Sequence, residues 1–427
     1  MGGIQRTGYN ARESDFTPRK LSPLKARWVV PGTATISAGA TLAGGRLYWG
    51  SWDGYEHASD AVTGKQLWRT FLGKTAKKTC YPEKAGVTST AAIGFVQLAN
   101  ERVRAVFVGG GDGSVYALRA ATGKVIWSRN FGSPQRGWFI WSSPALFHGS
   151  VYIGVGSFGD CPLVRGAMVK LDASSGSVQA RFDTVARGCA GATIWTSPAI
   201  DPAAQDLYLT TGNAGGVCTT HEPLAESMIK LSAKDLSLVA SWRVPKPQRV
   251  PDGDYGSTPT LFDADIDGKP TQLVGAVAKN GIYYAFRRAH LGQGPVWKTP
   301  RLARTGDTIA SSAWDGARLY VAADATKVDG HRCDGTVRAL DPATGKYLWQ
   351  TCLRGGIPEA ALTAIPGVVF ESMGSILYAL RATDGAVLAT FQDPRSNWFY
   401  APATVAGGVV YIGNSNGKLY ALTHDGK

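Results

Sequence analysis

The sequence has no run of about 18 or more consecutive apolar residues, so no transmembrane helix is expected. Charged residues make up only 18 % of the chain and hydrophobic residues 44 %, a balance that excludes wholesale disorder. No C-x-x-C pair is present, which excludes zinc-ribbon spacing, and no C-x-x-C-H sequence is present, which excludes a covalently attached haem. No P-loop is found, which argues against a nucleotide-binding enzyme.

Glycine and tryptophan are abundant instead. The 427 residues include 53 glycines and 13 tryptophans, a mixture that favours many turns and aromatic strands over helices. The length allows two or three domains or one large β domain. The formal net charge of +13 would attract anionic ligands, cell-wall polymers, membrane surfaces or nucleic acid. The basic residues are scattered rather than grouped, so no nucleic-acid partner is expected.

The six cysteines are even in number and favour disulfides formed in an oxidising compartment. No signal peptide is visible at the start of the chain. We nevertheless expect an exported protein, extracellular or periplasmic. Cys218, His57 and His221 could ligate a metal, but nothing fixes partners for them, and surface histidines are the better interpretation.

A repeat runs through the chain and is clearest near its end. Val409–Gly413 and Lys418–Leu422 alternate as two short strands joined by an N-G turn, which indicates a hairpin. An aromatic residue closes each repeat at intervals of 40 to 60 residues: Trp28, Trp68, Trp127, Phe182, Trp242, Trp297, Trp349 and Phe391. Four short strands per unit at this period are typical of a β-propeller.

Eight aromatic markers predict an all-β fold with eight blades. The final blade stops before its aromatic strand, and Leu24–Val30, around Trp28, supplies that strand and closes the ring. Closure removes most exposed sheet edges. We therefore expect an N-terminal extension over residues 1–23 and a single eight-bladed propeller over residues 24–427.

The repeat unit Asp341-Pro-Ala-Thr-Gly345-Lys-Tyr-Leu-Trp349 resembles the repeat of quinoprotein propellers, and the resemblance spans nearly the whole chain. The segments 153–166, 185–222 and 243–259 depart from the repeat. In a propeller the ligand lies on loops at one end, so such insertions indicate the site.

Four residues resemble the site of PQQ-dependent alcohol dehydrogenases. Trp195 and Asn213 stand 18 residues apart, as do the stacking tryptophan and the Ca²⁺-binding asparagine of that family. Asp254 matches the family's proposed base, and Lys279 in a K-N-G stretch matches the cation that reaches the quinone oxygens. The resemblance implies PQQ and Ca²⁺ as cofactors and a small-molecule or polymer alcohol as substrate.

The chemistry suits these residue types. A flat quinone can stack on Trp195, a base such as Asp254 can take the hydroxyl proton, and Lys279 can stabilise charge on a quinone oxygen. Each residue also has a structural interpretation, such as an aromatic of the core, a turn residue or a solvated hairpin cation.

The sequence departs from the family in two places. The vicinal cysteine pair of the family is absent, and Cys80 stands alone near the corresponding stretch. The family's metal-binding glutamate falls near Cys161. Asp160 is the nearest carboxylate, so the predicted metal ligands are Asn213, Asp254 and Asp160, with Ser157 as a further cofactor-binding residue. The departures put Ca²⁺ and tight quinone binding in doubt.

Because no covalent haem is expected, electrons would leave through a separate acceptor. The Cys-Pro segment and the lysine variant are most similar to the polyvinyl-alcohol-dehydrogenase-like branch of the family. A different class of function, a non-catalytic propeller used for binding or assembly, stays open beside the enzyme.

The disulfide pairs are expected from their positions in the repeat. Cys161 and Cys189 flank the same insertion region, and Cys333 and Cys352 lie in one blade. This leaves Cys80 and Cys218 as the third pair.

Overall fold

A computed structural model of the protein describes residues 3–32, 34–215, 218, 222–303 and 308–427. Nearly all regular structure in these ranges is β. Short 3-10 turns occur at Gly3–Gln5, Pro134–Arg136, Lys246–Gln248 and Arg288–Gln293. Within the described ranges, no helix has the length and apolar character needed to cross a membrane.

The strands form eight antiparallel sheets, the eight blades of a propeller, as the repeat predicts. The first strand of the chain is β1 (Leu24–Val30). By contact density the chain divides into two compact units, Thr33–Arg243 and Met1–Gly32 with Val244–Lys427, and each unit contains four blades.

The unit Thr33–Arg243 contains blades 1 to 4. Blade 1 consists of β2 (Thr41–Ala43), β3 (Arg46–Gly50), β4 (Tyr55–Asp60) and β5 (Gln66–Phe71). The loop that follows holds the short pair β6 (Thr75–Ala76) and β7 (Lys84–Ala85). Blade 2 consists of β8 (Ala92–Leu98), β9 (Glu101–Gly109), β10 (Ser114–Arg119) and β11 (Val125–Asn130).

Blade 3 has one additional strand. It consists of β12 (Trp138–Phe139), which pairs with the end of β14, and of β13 (Ala145–Phe147), β14 (Ser150–Ser157), β15 (Ala167–Asp172) and β16 (Val178–Asp183). Blade 4 consists of β17 (Ala199–Asp201), β18 (Asp206–Thr210), β19 (Ser227–Ser232) and β20 (Leu238–Arg243).

The second unit contains blades 5 to 8. Blade 5 consists of β21 (Thr260–Ile266), β22 (Lys269–Val277), β23 (Tyr283–Arg287) and β24 (Trp297–Lys298). Blade 6 consists of β25 (Ala313–Trp314), β26 (Leu319–Val328), β27 (His331–Leu340) and β28 (Tyr347–Leu353). Blade 7 consists of β29 (Thr363–Ile365), β30 (Val368–Met373), β31 (Ile376–Arg381) and β32 (Val387–Gln392).

Blade 8 is completed by the N-terminal strand, as predicted. Its first three strands are β33 (Thr404–Ala406), β34 (Val409–Gly413) and β35 (Leu419–His424). Strand β1 pairs antiparallel with β35, from Leu24 opposite His424 to Val30 opposite Leu419. The last blade therefore has four strands.

The eight aromatic markers all lie on the fourth strand of a blade, and the repeat turn explains why. Asp341 Oδ1 accepts backbone N–H bonds from Ala343 (3.0 Å) and Thr344 (2.9 Å), which closes the turn after β27. Gly345 follows with φ +70°, and a Cβ there would lie 2.5 Å from the ring of Trp297 in blade 5. The indole of Trp297 donates to the Pro342 carbonyl at 2.9 Å. The D-x-x-x-G spacing thus forms a seat for the tryptophan of the preceding blade.

The same seat recurs in the other unit. Trp68 of blade 1 donates to the Ala120 carbonyl at 3.0 Å, and a Cβ on Gly123 would lie 2.6 Å from its ring. These tryptophans are therefore structural residues that join neighbouring blades.

The strands of a blade alternate in direction, so each blade has two distinct ends. We call the front end the one where the chain enters the first strand and where the second strand turns into the third. The back end holds the turn between the first and second strands and the turn between the third and fourth strands. This definition follows from antiparallel pairing alone.

All six cysteines form disulfides, but two of the three predicted pairs are wrong. The bonds are Cys80–Cys161, Cys189–Cys218 and Cys333–Cys352. Only the pair within blade 6 is as expected. Cys161 pairs with Cys80 because the loop after β14 packs on the loop after β5, where both cysteines join a cluster with Phe139 and Phe158. Cys189 is then left for Cys218, so closeness in sequence was a poor guide.

The expectation of surface histidines is wrong for His57. Its side chain is buried, stacked on Trp49 with ring centroids 3.9 Å apart, and its Nε2 lies 3.4 Å from Asp53 Oδ2. It points to one face of β4 in a blade core, which the sequence pattern did not show. His221 lies outside the described residues.

Candidate functional site at the front ends of the blades

Every residue predicted for the site lies in a front-end loop of its own blade. Ser157 and Asp160 lie where β14 turns towards β15, and Trp195 lies in the loop that enters β17. Asn213 follows β18. The remaining two residues belong to blade 5 and lie in the corresponding loops, Asp254 before β21 and Lys279 after β22. The segments that depart from the repeat therefore contain all of these residues except Lys279.

Backbone hydrogen bonds bring the Trp195 and Asn213 segments side by side. The Asn213 carbonyl accepts from the Ala192 N–H at 2.7 Å, and the Thr193 carbonyl accepts from the Gly212 N–H at 2.9 Å. Two residues from Thr193, Trp195 is half-buried. The 18 residues from Trp195 to Asn213 therefore include the first hairpin of blade 4, after which the chain returns to the segment that contains Trp195.

Ser157 stands next to this pair. A Cβ added to Gly156, its neighbour on β14, would lie 3.5 Å from the Trp195 Cβ. The Ser157 hydroxyl accepts the Val164 N–H at 2.9 Å, and its carbonyl accepts the Trp141 indole N–H, also at 2.9 Å. Ser157 is buried, so it shapes the loop and the position of Trp141.

Asp160 differs from the other predicted residues because it is exposed. It lies in the turn between Phe158 and Cys161 with φ +55°, and the Cys161 N–H bonds the Phe158 carbonyl. The Cys80–Cys161 disulfide fixes this turn. The Asp160 carboxylate therefore lies in an exposed turn. The disulfide that fixes this turn joins Cys161 to Cys80 and not to Cys189, the predicted partner.

Asp254 and Lys279 are held against each other by two contacts. The Lys279 N–H donates to the Asp254 carbonyl at 2.8 Å, and the Lys279 ammonium lies 3.2 Å from Asp254 Oδ2. The Asp254 side chain is 6 % exposed and that of Lys279 13 % exposed. A turn in which Asn280 Oδ1 accepts the Ile282 N–H at 3.0 Å follows Lys279 and sets its direction.

A second carboxylate completes this cluster. Asp252 Oδ2 lies 2.7 Å from the Lys279 ammonium, although the Asp252 side chain is 63 % exposed. Burial opposes the charge on Lys279, but the attraction of Asp254 and Asp252 and their hydrogen bonds outweigh it and raise the pKa of Lys279. The lysine therefore stays an ammonium at neutral pH.

Two polar residues were not predicted from the sequence. Asp252 has φ +52°, and its carboxylate contacts Lys279. The sequence signal for it was its place beside Asp254 in the stretch Asp252-Gly253-Asp254. Glu222 lies in the same loop as Asn213 and is buried. Its Oε2 accepts the Gly215 N–H at 2.9 Å, Oε1 has no hydrogen-bond partner, and burial raises its pKa.

The Trp195 ring and the Lys279 ammonium, each within its own unit, are side-chain types that suit a planar anionic group. A half-buried tryptophan and an ammonium are the side chains that a flat, carboxylated quinone would need. Ca²⁺ takes about six to eight oxygen ligands. Across the described ranges, no three His, Cys, Asp or Glu side chains are grouped to hold a metal ion, and Asp254 is already bonded to Lys279.

The chain belongs to a family of PQQ-type repeats described as outer membrane protein assembly factor BamB, whose model matches residues 11–224 and 292–427. The unmatched segment, 225–291, includes Asp254 and Lys279. Among curated proteins, the chain is 25 % identical to a polyvinylalcohol dehydrogenase of Pseudomonas sp. over 93 % of this chain and 70 % of that protein. It is 30 % identical to quinohemoprotein alcohol dehydrogenase ADH IIB of Pseudomonas putida, but over only 55 % of this chain and 37 % of that protein.

Solved structures of the same fold come from both kinds of relative. The quinohemoprotein alcohol dehydrogenase of Comamonas testosteroni matches with a TM-score of 0.76 and 18 % identity, over 99 % of this chain and 80 % of that one. BamB of Moraxella catarrhalis matches with a TM-score of 0.61 and 15 % identity, over 94 % of this chain and 98 % of that one. At these identities the likeness establishes the fold.

Proposed function

We propose that the protein is an exported, haem-free quinoprotein dehydrogenase that uses PQQ to oxidise an alcohol. The observation that supports this most is the buried contact between Asp254 and Lys279, which places a proton acceptor beside a lysine whose pKa is raised by its carboxylate partners. The relatives named as polyvinylalcohol and quinohemoprotein alcohol dehydrogenases support the same class of chemistry.

All of the predicted residues except Asp160 receive a role in this proposal. Trp195 would offer its ring face to the planar cofactor, and Ser157 would hold the neighbouring loop in place. Lys279 would bind an oxygen of the cofactor or substrate. Asn213 would offer an amide oxygen. We assign no chemical step to Ca²⁺, whose part is decided by the titration below.

Oxidation of an alcohol to a carbonyl requires the hydroxyl proton and a hydride from the carbon to leave. When bound, PQQ accepts the electron pair together with the hydrogen of the alcohol carbon. Asp254 would take the hydroxyl proton, because a carboxylate within hydrogen-bond reach can act as a general base. Lys279 would stabilise negative charge on the adjacent oxygen, and it can do so because its raised pKa keeps it protonated. A separate acceptor would then reoxidise the cofactor.

The experiment is a titration of the purified protein with PQQ, with and without Ca²⁺, followed by tryptophan fluorescence. We expect saturable quenching, with the affinity reduced about tenfold or more in Trp195→Ala because the stacking face is lost. Trp195→Phe keeps an aromatic ring and should retain most of the affinity. Trp242→Phe, on the fourth strand of blade 4, is the matched control for the loss of one indole.

Three outcomes decide the proposal. Quenching that requires Ca²⁺ would establish the metal, and quenching that ignores it would remove Ca²⁺ from the site. An absence of saturable binding at roughly tens of micromolar PQQ would overturn the dehydrogenase. If PQQ binds, the complex is assayed with an artificial electron acceptor and a panel of alcohols, from small ones to polyvinyl alcohol.

A binding or assembly module is the second candidate function. The family model is described as an outer membrane assembly factor, and it matches blades on either side of residues 225–291. The absence of the family's vicinal cysteine pair from the sequence also favours this alternative. It predicts no PQQ binding, so the same titration separates the two candidates.

A further inference from the structure

The segment before β1 covers the back ends of blades in its own unit. The Asn10 side chain donates to the Val405 carbonyl of β33 at 2.9 Å. Glu13 Oε1 accepts the N–H groups of Asp15 (2.8 Å), Phe16 (3.0 Å) and Gly408 (3.2 Å), which ties the segment to the first turn of blade 8. The segment is therefore a fixed part of the blade 8 surface.

A cavity of about 230 Å³ lies between this segment and the back end of blade 8. The segment contributes Asp15, Phe16 and Lys20, and blade 8 contributes Arg27 of β1, Thr423 of β35 and the following Lys427. Phe16 is 2 % exposed and forms an apolar floor. The front-end loops of Asp254 and Lys279 lie at the opposite end of their own blade, so this cavity is separate from them.

The charges around the cavity do not balance. Lys20, Arg27 and Lys427 are three cations, and within the described part of the chain no carboxylate lies within ion-pair distance of any of them. Asp15 is the one lining residue with a carboxylate side chain. Glu13 is close by, but its carboxylate is occupied by backbone N–H groups.

A buried hydroxyl on the cavity wall also lacks a partner. Thr423 is 5 % exposed, and its Oγ1 makes no hydrogen bond in the structure. A buried hydroxyl without a partner is destabilising, and it is satisfied when a ligand accepts its proton. This hydroxyl lies near the three cations Lys20, Arg27 and Lys427, which have no ion-pair partner. The combination indicates a ligand with several anionic oxygens.

We propose that this cavity binds a small organic oxyanion with two or more acidic groups, of the di- or tricarboxylate or phosphate-ester class. Arg27 and Lys20 bind the anionic oxygens, and Thr423 donates its hydroxyl proton. The apolar ring of Phe16 accommodates the carbon skeleton. The volume exceeds what a single inorganic phosphate requires, which favours an organic anion. This site does not depend on the proposed dehydrogenase.

The test is isothermal titration calorimetry of the full chain with citrate, and separately with inorganic phosphate, at constant ionic strength set with NaCl. We expect one citrate per chain with a dissociation constant of roughly 1 mM or lower, and weaker binding of phosphate. Arg27→Gln and Lys20→Gln should each weaken citrate binding about tenfold, because each removes a charge-assisted hydrogen bond. Lys124→Gln, at an exposed lysine in blade 2, is the charge-matched control and should bind as the unmodified protein does.

A second variant keeps the proposal testable without relying on charge. Thr423→Val removes the hydroxyl at almost constant shape, so the melting temperature without ligand should rise while citrate affinity falls. A heat of binding that does not saturate would overturn the site, and so would an equal loss of affinity in Lys124→Gln and Arg27→Gln. Either result would show only a general attraction of anions to a basic protein. A citrate affinity in Thr423→Val equal to that of the unmodified protein would overturn the proposed site, in which the Thr423 hydroxyl binds the ligand.

Discussion

Lys279 touches two carboxylates that differ in exposure, and the difference separates their contributions. Asp254 is almost fully buried, whereas Asp252 is largely in solvent. Solvent screens an exposed ion pair, and a buried charge that loses its partner is destabilising. The shorter of the two contacts is therefore the weaker contributor to stability.

We predict that Lys279→Met lowers the free energy of unfolding by about 3 kcal/mol, because it leaves Asp254 as a buried charge without its ammonium. Asp252→Asn should lower it by about 1 kcal/mol or less. Urea unfolding at pH 7 measures both. Because the pKa of Lys279 is raised, the contribution is complete below the usual lysine pKa and is lost only as the pH rises through the raised value. Equal losses in the two variants would contradict this assignment.

The sequence could predict which residue types the front end presents but not which of them meet. Trp195 and Asn213 were recognised by their spacing, and the hairpin of blade 4 does return one beside the other. The contact between Asp252 and Lys279 was beyond prediction because it depends on a positive φ at an aspartate. Local composition favours such a conformation in Asp only weakly.

The repeat turn is the element that carries the most information from sequence to fold. Its aspartate closes the turn, its glycine leaves room, and the tryptophan of the preceding blade fills that room. Three widely spaced residues, an aspartate, a glycine and a tryptophan, therefore determine a contact between two blades. Because this contact recurs in the repeat, the number of blades could be predicted from the sequence.

This gives a prediction with a close control. Gly345→Ala should lower the free energy of unfolding by about 3 kcal/mol, because a Cβ would both meet Trp297 and require a strained backbone. Gly268→Ala has nearly the same φ, +74° against +70°, but nothing within 4 Å of the added Cβ. It should lose only about 1 kcal/mol. Thermal or urea unfolding of the pair isolates the contact with tryptophan, and equal losses would show that the contact is unimportant.

The disulfides show where element-level prediction ends. The pair in blade 6 joins adjacent strands β27 and β28, so a repeat register is enough to find it. The bond from Cys80 to Cys161 joins loops of different blades that are 81 residues apart. Loop conformation determines that pairing, and the repeat pattern says nothing about it.

At the scale of the whole molecule, each unit contains a buried glutamate in a blade core. Glu56 on β4 is fully buried and neither carboxylate oxygen has a hydrogen-bond partner. Glu371 on β30 is 2 % exposed. Burial raises the pKa of both carboxyl groups well above the usual value, so the folded protein holds these protons when the unfolded chain has released them.

The stability of the protein should therefore fall as the pH rises from about 4.5 towards the raised pKa values, by about 1.4 kcal/mol per pH unit for each group. Glu56→Gln and Glu371→Gln remove this titration. Each variant should be more stable than the unmodified protein at pH 7, and the difference should disappear near pH 4. Unfolding free energies across this range test the prediction, and parallel pH profiles would contradict it.

The pairing of β1 with β35 also sets the order of events during synthesis. About 400 residues separate the two strands, so at roughly 5–20 residues per second β1 leaves the ribosome some 20 to 80 seconds before its partner exists. A strand without a partner invites incorrect pairing with other chains. Lys25 and Arg27, both exposed on β1, are the kind of charges that discourage it. The last step of folding therefore waits for the last blade, and two cations protect the strand in the meantime.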